Sequence, residues 1–273
     1  MRKLNGMTLF NLILVALVQG VTEFLPVSSS GHLILLPSLT GMNDQGQVID
    51  VAVHVGSLVA VVMYFWTDVR MALHGLKRLA VGKVDTDGAI LAFCLCLSTL
   101  PVAVAGLIIA VAGWEEHLRS VALIGWTMLI FGVVLYWADR TGTNAKTSAH
   151  WTAKDAVVMG LWQVLALLPG TSRSGITITG ARRLGYKRED AARLGMLMSI
   201  PTILASGFLV GGEVFATANV ETARAGAIAA VFSFIAALVA LMLMMRLLRS
   251  VSFTPYVIYR IALGLVLLVI AYS

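Results

Sequence analysis

Apolar residues in this chain fall in long unbroken runs, not in the alternation of half-buried strands. Strong runs cover residues 51–67, 89–113 and 120–138 in the first half, and 190–212, 223–245 and 255–272 in the second. Each is close to the roughly 20 residues a spanning helix needs, so the pattern predicts six transmembrane helices. Two further apolar stretches are interrupted. Residues 7–25 run into Pro26 and the polar group Ser28, Ser29, Ser30, Gly31 and His32, and become apolar again over Leu33–Leu39. Residues 156–168 run into Pro169, Gly170, Thr171, Ser172, Arg173, Ser174 and Gly175, and continue from Ile176. Proline removes a backbone donor and clashes with the preceding turn. Serine and glycine then supply caps and room for a reversal. Each interrupted stretch is therefore read as two half-helices around a polar turn, with one kinked span as the alternative.

Residues 14–31 and 158–175 align without a gap at an offset of 144, matching Gln19 to Gln163, Ser28 to Ser172, Ser30 to Ser174 and Gly31 to Gly175. Each copy is an interrupted stretch followed by three spans, and an odd number of spans makes the second copy enter from the opposite face. The expected fold is an all-α polytopic membrane protein, with six transmembrane helices plus two re-entrant helical hairpins in an inverted-topology repeat. It forms a single membrane domain over 1–273. The first repeat is 1–138, with its hairpin at 7–40, and the second is 154–273, with its hairpin at 154–184.

Composition agrees. The chain is 59% apolar and 12% charged, against about 45–50% and 25% in soluble domains, and its mean hydropathy is +0.89. That excludes a disordered chain, a coiled coil and an ordinary soluble enzyme. The net charge of +6 has no interleaved aromatics to suggest nucleic acid, which is not an expected partner. Its distribution is informative. If 51–67 crosses one way and each hairpin returns to its own side, the loops 68–88, 139–154, 182–193 and 246–254 share one side and hold 14 of the 20 Lys and Arg. The other side holds Arg2, Lys3, Arg119 and Arg224, while Arg173 and Arg260 fall inside membrane segments. The positive-inside rule makes the basic side cytoplasmic and puts both termini outside. Met1, Arg2 and Lys3 before an apolar run imitate a signal peptide, but no small-residue cleavage site follows, so the segment is expected to stay in the mature chain. Cys94 and Cys96, two apart on different helix faces, are expected to form neither a disulfide nor a metal pair.

Ionisable groups inside a membrane are expensive and mark function. They cluster in the two interruptions. Gln19 and Glu23, four apart, share a helix face, and Ser28, Ser29, Ser30 and His32 follow. The second turn offers Thr171, Ser172, Arg173 and Ser174, with Thr177 one helical turn on. Helix N-termini at both turns, a planar guanidinium and several hydroxyls together describe a phosphate-sized anion site. A serine beside a histidine is the minimum for an activated nucleophile, and Glu23 could orient the histidine, act as base or share a divalent cation. His54 is read as structural, Arg260 as either structural or cavity-lining, and Glu115, Glu116 and Glu213 as outside loop charges.

Three motifs in order carry a family resemblance. Gln19 to Glu23 fits (E/Q)xxxE, Glu23 to His32 is similar to EFLPVSS(T/S)GH, and Pro169 to Thr177 fits PGxSRSxxT. The chain thus resembles the bacterial undecaprenyl-pyrophosphate phosphatases of the BacA/UppP family over its whole length. It departs at Gln19, where many members carry Glu, and that puts a metal role for this position in doubt. The resemblance implies an inner-membrane enzyme that removes the terminal phosphate of undecaprenyl pyrophosphate. The product would be undecaprenyl phosphate, the lipid carrier for peptidoglycan, and abundance of the enzyme would give bacitracin resistance. It implies Ser29 as nucleophile, with Ser28 open as the alternative, Arg173 as phosphate clamp, His32 as acid/base, and Glu23 as orienter or metal ligand. Ser172, Ser174 and Thr177 would hold phosphate oxygens, with Gln19 on the rim. A divalent cation, Mg2+ or Ca2+, is implied, and with a single good carboxylate it would be held largely through the pyrophosphate. The partners implied are the lipid and the membrane; homodimerisation stays open. The rival reading is a lipid-phosphate transporter or flippase, since inverted repeats with broken helices also build carriers.

Overall fold

A computed structural model describes residues 3–4, 7–40, 46–114, 120–217 and 219–273. A two-residue antiparallel pairing, Lys3–Leu4 with Met7–Thr8, precedes an otherwise helical chain. The helices are α1 (Leu9–Phe24), α2 (Ser29–Leu33), α3 (Leu35–Thr40), α4 (Gln47–Tyr64), α5 (Trp66–Leu79) and α6 (Asp87–Ala112). They continue as α7 (Val121–Thr141), α8 (Ala153–Val164), α9 (Arg173–Arg183), α10 (Arg188–Thr217), α11 (Val220–Leu247) and α12 (Thr254–Tyr272). Among the described residues six helices are long and apolar enough to cross a bilayer: α4, α6, α7, the 188–208 part of α10, α11 and α12. Each coincides with one of the six runs read from the sequence, and the chain is a multi-pass membrane protein. Their lipid-facing sides stay apolar, with Val111 and Phe208 both 82% exposed.

Helix starts follow local chemistry. The hydroxyls of Thr8, Thr86, Ser120, Thr152 and Ser172 and the Asn219 side-chain oxygen each accept a backbone N–H three residues on, satisfying a donor the helix leaves orphaned. Two expectations change. Residues 68–88 are not simply a loop, because α5 occupies their first half. Its apolar residues alternate with Arg70, His74, Lys77 and Arg78, so a search for spans passes over it. Arg182 and Arg183 lie in the last turn of α9, not in a loop, where cations meet the negative end of the helix dipole. Glu115, Glu116 and Arg119, read as outside charges, lie outside the described residues, as does the side chain of Glu213.

Without water to expel between them, membrane helices associate by close packing around small residues. α1 crosses α11 at Gly20, where an added Cβ would lie 2.5 Å from the Ser233 carbonyl oxygen. α8 crosses α6 at Gly160, where a Cβ would lie 2.5 Å from the Ser98 carbonyl oxygen. α7 and α12 meet at Gly125 and Gly264. α4 packs on α11 and α10 on α6. The largest buried apolar cluster joins Phe24 of α1, Met159 of α8, Ile178 of α9 and Leu241 of α11.

A polar network ties the ends of α7, α9 and α12. Arg182 is fully buried and donates to the Asn144 side chain (2.7 Å) and to the carbonyls of Tyr186 (2.5 Å) and Asp139 (2.8 Å). The Asp139 carboxylate accepts from Arg188 Nε (2.7 Å) and from the Phe253 amide (3.2 Å). Asp155 accepts from Tyr186 Oη (2.6 Å) and Lys146 Nζ (2.9 Å). Burial, with the Asp155 carboxylate beside it, pushes the Tyr186 hydroxyl up, so it remains a donor in this contact.

Candidate functional site

The two interruptions form similar local structures. α1 ends at Phe24 and α2 begins at Ser29; α8 ends at Val164, a short 3-10 turn follows at Leu165–Leu167, and α9 begins at Arg173. The residue before each new helix is a serine with positive φ, Ser28 at 71° and Ser172 at 69°. A non-glycine residue there is strained and persists only where its surroundings hold it. Here they do so with matching hydroxyl pairs: Ser28 Oγ lies 3.0 Å from Ser30 Oγ, and Ser172 Oγ 3.1 Å from Ser174 Oγ. The turns also bond to each other. Ser30 Oγ accepts from the Gly170 amide (3.1 Å), and Ser174 Oγ donates to the Leu25 carbonyl (2.9 Å). Thr127 of α7 donates to the Pro169 carbonyl (2.5 Å), fixing the second turn from behind. Gly170 has φ of +88°, and a side chain there would run into Thr127 and the Ile124 backbone.

At the join, Glu23 is the centre of a buried cluster. Its Oε1 accepts from Arg173 Nη2 at 2.7 Å. Its Oε2 accepts from Gln19 Nε2 at 2.7 Å and from Ser29 Oγ at 3.2 Å. Arg173 Nη1 is buried with no hydrogen-bond partner among the described residues, as are Gln19 Oε1 and Thr171 Oγ1. An unpartnered guanidinium nitrogen, on an arginine that shares the Glu23 carboxylate with Ser29, is a donor waiting for an acceptor. Gln19 and Glu23, expected on one helix face, do meet, and the structure adds Ser29 and Arg173 as direct partners of the Glu23 carboxylate, where the sequence pointed to a serine paired with His32.

The other expected residues take different places. His32 does not bond to Ser29. Its Nδ1 faces the Ser28 carbonyl oxygen (2.7 Å), so this nitrogen carries the proton, and its Nε2 faces Tyr259 Oη (2.6 Å). The two rings stack at 5.5 Å with 7° between their planes. Thr177 Oγ1 donates back to the carbonyls of Arg173 (3.0 Å) and Ser174 (3.1 Å), stiffening the start of α9. Ser172 Oγ caps the Gly175 amide at 3.2 Å.

Three residues join the site that sequence reasoning did not place there. His54, read as structural, puts Nε2 3.8 Å from Glu23 Oε2, its other nitrogen facing the Asp50 carbonyl oxygen (2.7 Å). Tyr259 completes the histidine contact. Arg260, left open, is fully buried and donates from Nη2 to the carbonyls of Gly170 (3.1 Å) and Thr171 (2.9 Å). No spacing rule links these positions to the motifs, because α4 and α12 meet the turns only in space. The signal available in sequence was an ionisable group inside an apolar run.

Comparison with known proteins agrees with the motif evidence. The family model described as bacitracin resistance protein BacA matches residues 12–266. An undecaprenyl-diphosphatase of Roseobacter denitrificans is 68% identical over 98% of this chain and 100% of its own length. One of Ruegeria pomeroyi is 66% identical with the same coverage. A more distant one, undecaprenyl-diphosphatase 1 of Rhodospirillum rubrum, is 45% identical over 97% of this chain and 96% of its own. The buried carboxylate, arginine and serine lie within the matched region, and with full-length identity at this level the chain belongs to the bacitracin resistance protein BacA family.

Proposed function

We propose that this protein is an integral membrane undecaprenyl-diphosphatase. It hydrolyses undecaprenyl pyrophosphate to undecaprenyl phosphate and inorganic phosphate, and thereby returns the lipid carrier to cell-wall synthesis and gives resistance to bacitracin. The observation that carries the reading is the convergence of Ser29 Oγ on Glu23, together with an Arg173 that has one guanidinium nitrogen still unpaired. Phosphoryl transfer needs in-line positioning and charge neutralisation more than covalent machinery. Arg173 and the N-terminus of α9 hold the terminal phosphate through its oxygens. Ser29 Oγ attacks the terminal phosphorus, the bond to the bridging oxygen breaks, and undecaprenyl phosphate leaves. Glu23, which accepts the Ser29 hydrogen bond, takes its proton. Water then attacks the phosphoserine phosphorus and passes its proton to His32 Nε2, which turns from Tyr259 to receive it; the Ser29 Oγ–P bond breaks, Oγ takes back the proton held by Glu23, and inorganic phosphate leaves. Ser28, Ser30, Ser172 and Ser174 shape the cradle, Gln19 and His54 hold Glu23, and Thr171 and Thr177 support the second turn.

A divalent ion fits poorly as a group the protein holds by itself. Among the described residues no three His, Cys, Asp or Glu side chains are grouped to ligate one. Glu23 already spends one oxygen on Arg173 and the other on Gln19 and Ser29. No step is assigned to a metal; an ion would arrive on the pyrophosphate oxygens.

The architecture we propose keeps two re-entrant hairpins, 7–40 and 154–184, in inverted repeats over 1–138 and 154–273. Supporting this are the matched strained serines and an exchange in the packing. Interchanging α1 with α8, α4 with α10, α6 with α11 and α7 with α12 turns the α1/α11 contact into α8/α6 and the α4/α11 contact into α10/α6, and leaves α7/α12 unchanged. Both termini then lie outside the inner membrane, with the cavity opening to the periplasm. The deciding experiment is phosphate release from undecaprenyl pyrophosphate by the purified protein in detergent, alongside lipid binding. Binding without release would make the protein a carrier.

A further inference from the structure

α5 follows α4 after a single residue, Phe65, and is neither a span nor a loop. It is a 14-residue helix with three distinct sides. One is buried: Asp68, Ala72 and Gly75 face the protein. Gly75 lies against the Gly88 backbone of α6, and the Asp68 carboxylate accepts from Arg193 of α10 at 2.5 Å. At 100° per residue, the remaining surface divides into two edges. One carries Trp66, Val69, Leu73 and Leu76, of which Trp66 is 53% and Leu73 49% exposed. The other carries Arg70, His74 and Lys77, followed toward the buried side by Thr67, Arg78 and the part-exposed Met71.

The cations are not interchangeable. Arg78 is committed to Asp85 through two hydrogen bonds, 2.6 Å from Nε and 2.5 Å from Nη2. Arg70 and Lys77 have no acidic partner among the described residues. On the helix circumference these two directly adjoin the apolar edge, beside Trp66 and Leu73. Exposed apolar side chains also occur on the neighbouring spans, at Met63 near the end of α4 and at Ile90 and Phe93 near the start of α6.

We propose that α5 lies in the membrane interface, with Trp66, Leu73 and Leu76 in the acyl boundary and Arg70 and Lys77 bound to anionic lipid headgroups. An apolar edge bordered by cations is the arrangement by which interfacial helices seat themselves, and long basic side chains extend from such a position to the phosphate level. A tryptophan at the border suits the headgroup region. A second copy of the chain is a poorer occupant, because a two-fold contact would set this basic edge against itself. The inference is independent of the reaction at Glu23 and Ser29.

The test uses the full-length protein in lipid nanodiscs, with single nitroxide labels at Leu73→Cys or His74→Cys in a Cys94→Ala, Cys96→Ala background; phosphate release by each variant serves as the control for folding. The label at 73 should be reached by oxygen and shielded from a water-soluble nickel chelate, and the label at 74 should show the reverse. Adding phosphatidylglycerol to phosphatidylcholine discs should deepen the label at 73. Arg70→Gln with Lys77→Gln should abolish that difference, each cation near an anionic surface being worth about fivefold in binding, and should leave phosphate release unchanged. Equal nickel access at 73 and 74 would overturn the proposal. So would shielding at 73 with label–label broadening that vanishes on dilution with unlabelled protein, which would assign the edge to a second copy. A lipid response that survives the double substitution would remove Arg70 and Lys77 from the headgroup contact.

Discussion

Ser29 and Ser28 are adjacent hydroxyls, yet only Ser29 bonds to the Glu23 carboxylate, while Ser28 is paired with Ser30 across a strained turn. That difference makes a prediction. Ser29→Ala should leave affinity for the lipid pyrophosphate nearly unchanged, because Arg173 and the α9 N-terminus remain, and should collapse phosphate release. Measuring both on the same purified variant separates the chemical step from binding. If Ser28→Ala instead is the dead variant, the nucleophile moves by one residue. A loss below ~10-fold in both, about 1.4 kcal/mol, would favour attack by water. Arg173→Lys keeps the charge but loses the planar fork, of which one nitrogen holds Glu23 and another is unpartnered. Its kcat/KM should fall at least ~100-fold, the scale of one strong charge-stabilising contact. Near-normal turnover would make Arg173 structural. Because Glu23 is already fully engaged, Mg2+ alone should leave the melting temperature of the protein unchanged, and a shift should require the lipid pyrophosphate as well.

Among the helices, two kinds of join hold the site. The first is backbone against backbone at glycine. Gly20→Leu would drive its side chain into the Ser233 carbonyl and Ala236 of α11 and should destabilise the detergent-solubilised protein by about 1–3 kcal/mol, as overpacking does. Because α1 carries Gln19 and Glu23, the same change should lower activity. Gly207→Leu, where no atom lies within 4 Å of an added Cβ, is the control that should do neither. The second kind is the buried ion network. Asp139→Ala removes the carboxylate facing Arg182 and Arg188. It should cost about 3–5 kcal/mol, since it leaves a fully buried guanidinium uncompensated. Thermal unfolding reads this directly, and a loss under about 1 kcal/mol would show the network to be marginal.

For the whole molecule, the placement of Lys and Arg and the exchanged packing of the two halves favour one arrangement across the bilayer. In a background without Cys94 and Cys96, Ser273→Cys should react with an impermeant thiol reagent added outside intact cells. Lys187→Cys, at the exposed connection between α9 and α10, should react only after the membrane is opened. Reaction of both from one side would remove the inverted repeat. In the arrangement we propose both polar turns lie at membrane depth, where backbone of this kind is tolerated only if protein or a wet cavity surrounds it.

The sequence by itself determined the class of protein and marked the two interruptions in which its buried ionisable groups gather. Span length, apolar content and interruptions at Pro26 and Pro169 are local properties, so the six crossing helices and both turns were legible, and Gln19 and Glu23 meet as their i, i+4 spacing suggested. Helix α5 was not legible as a helix, since its apolar positions only make sense once α6 covers a third side. The tertiary structure alone decided that His54 and Tyr259 stand at the site, that Arg260 braces the second turn, and that Ser29 is held by Glu23 and not by His32. Those relations join helices far apart in the chain, with Tyr259 227 residues from His32. Which side chains meet across such distances is set by how glycine-lined helices cross, and no periodicity within one segment encodes it.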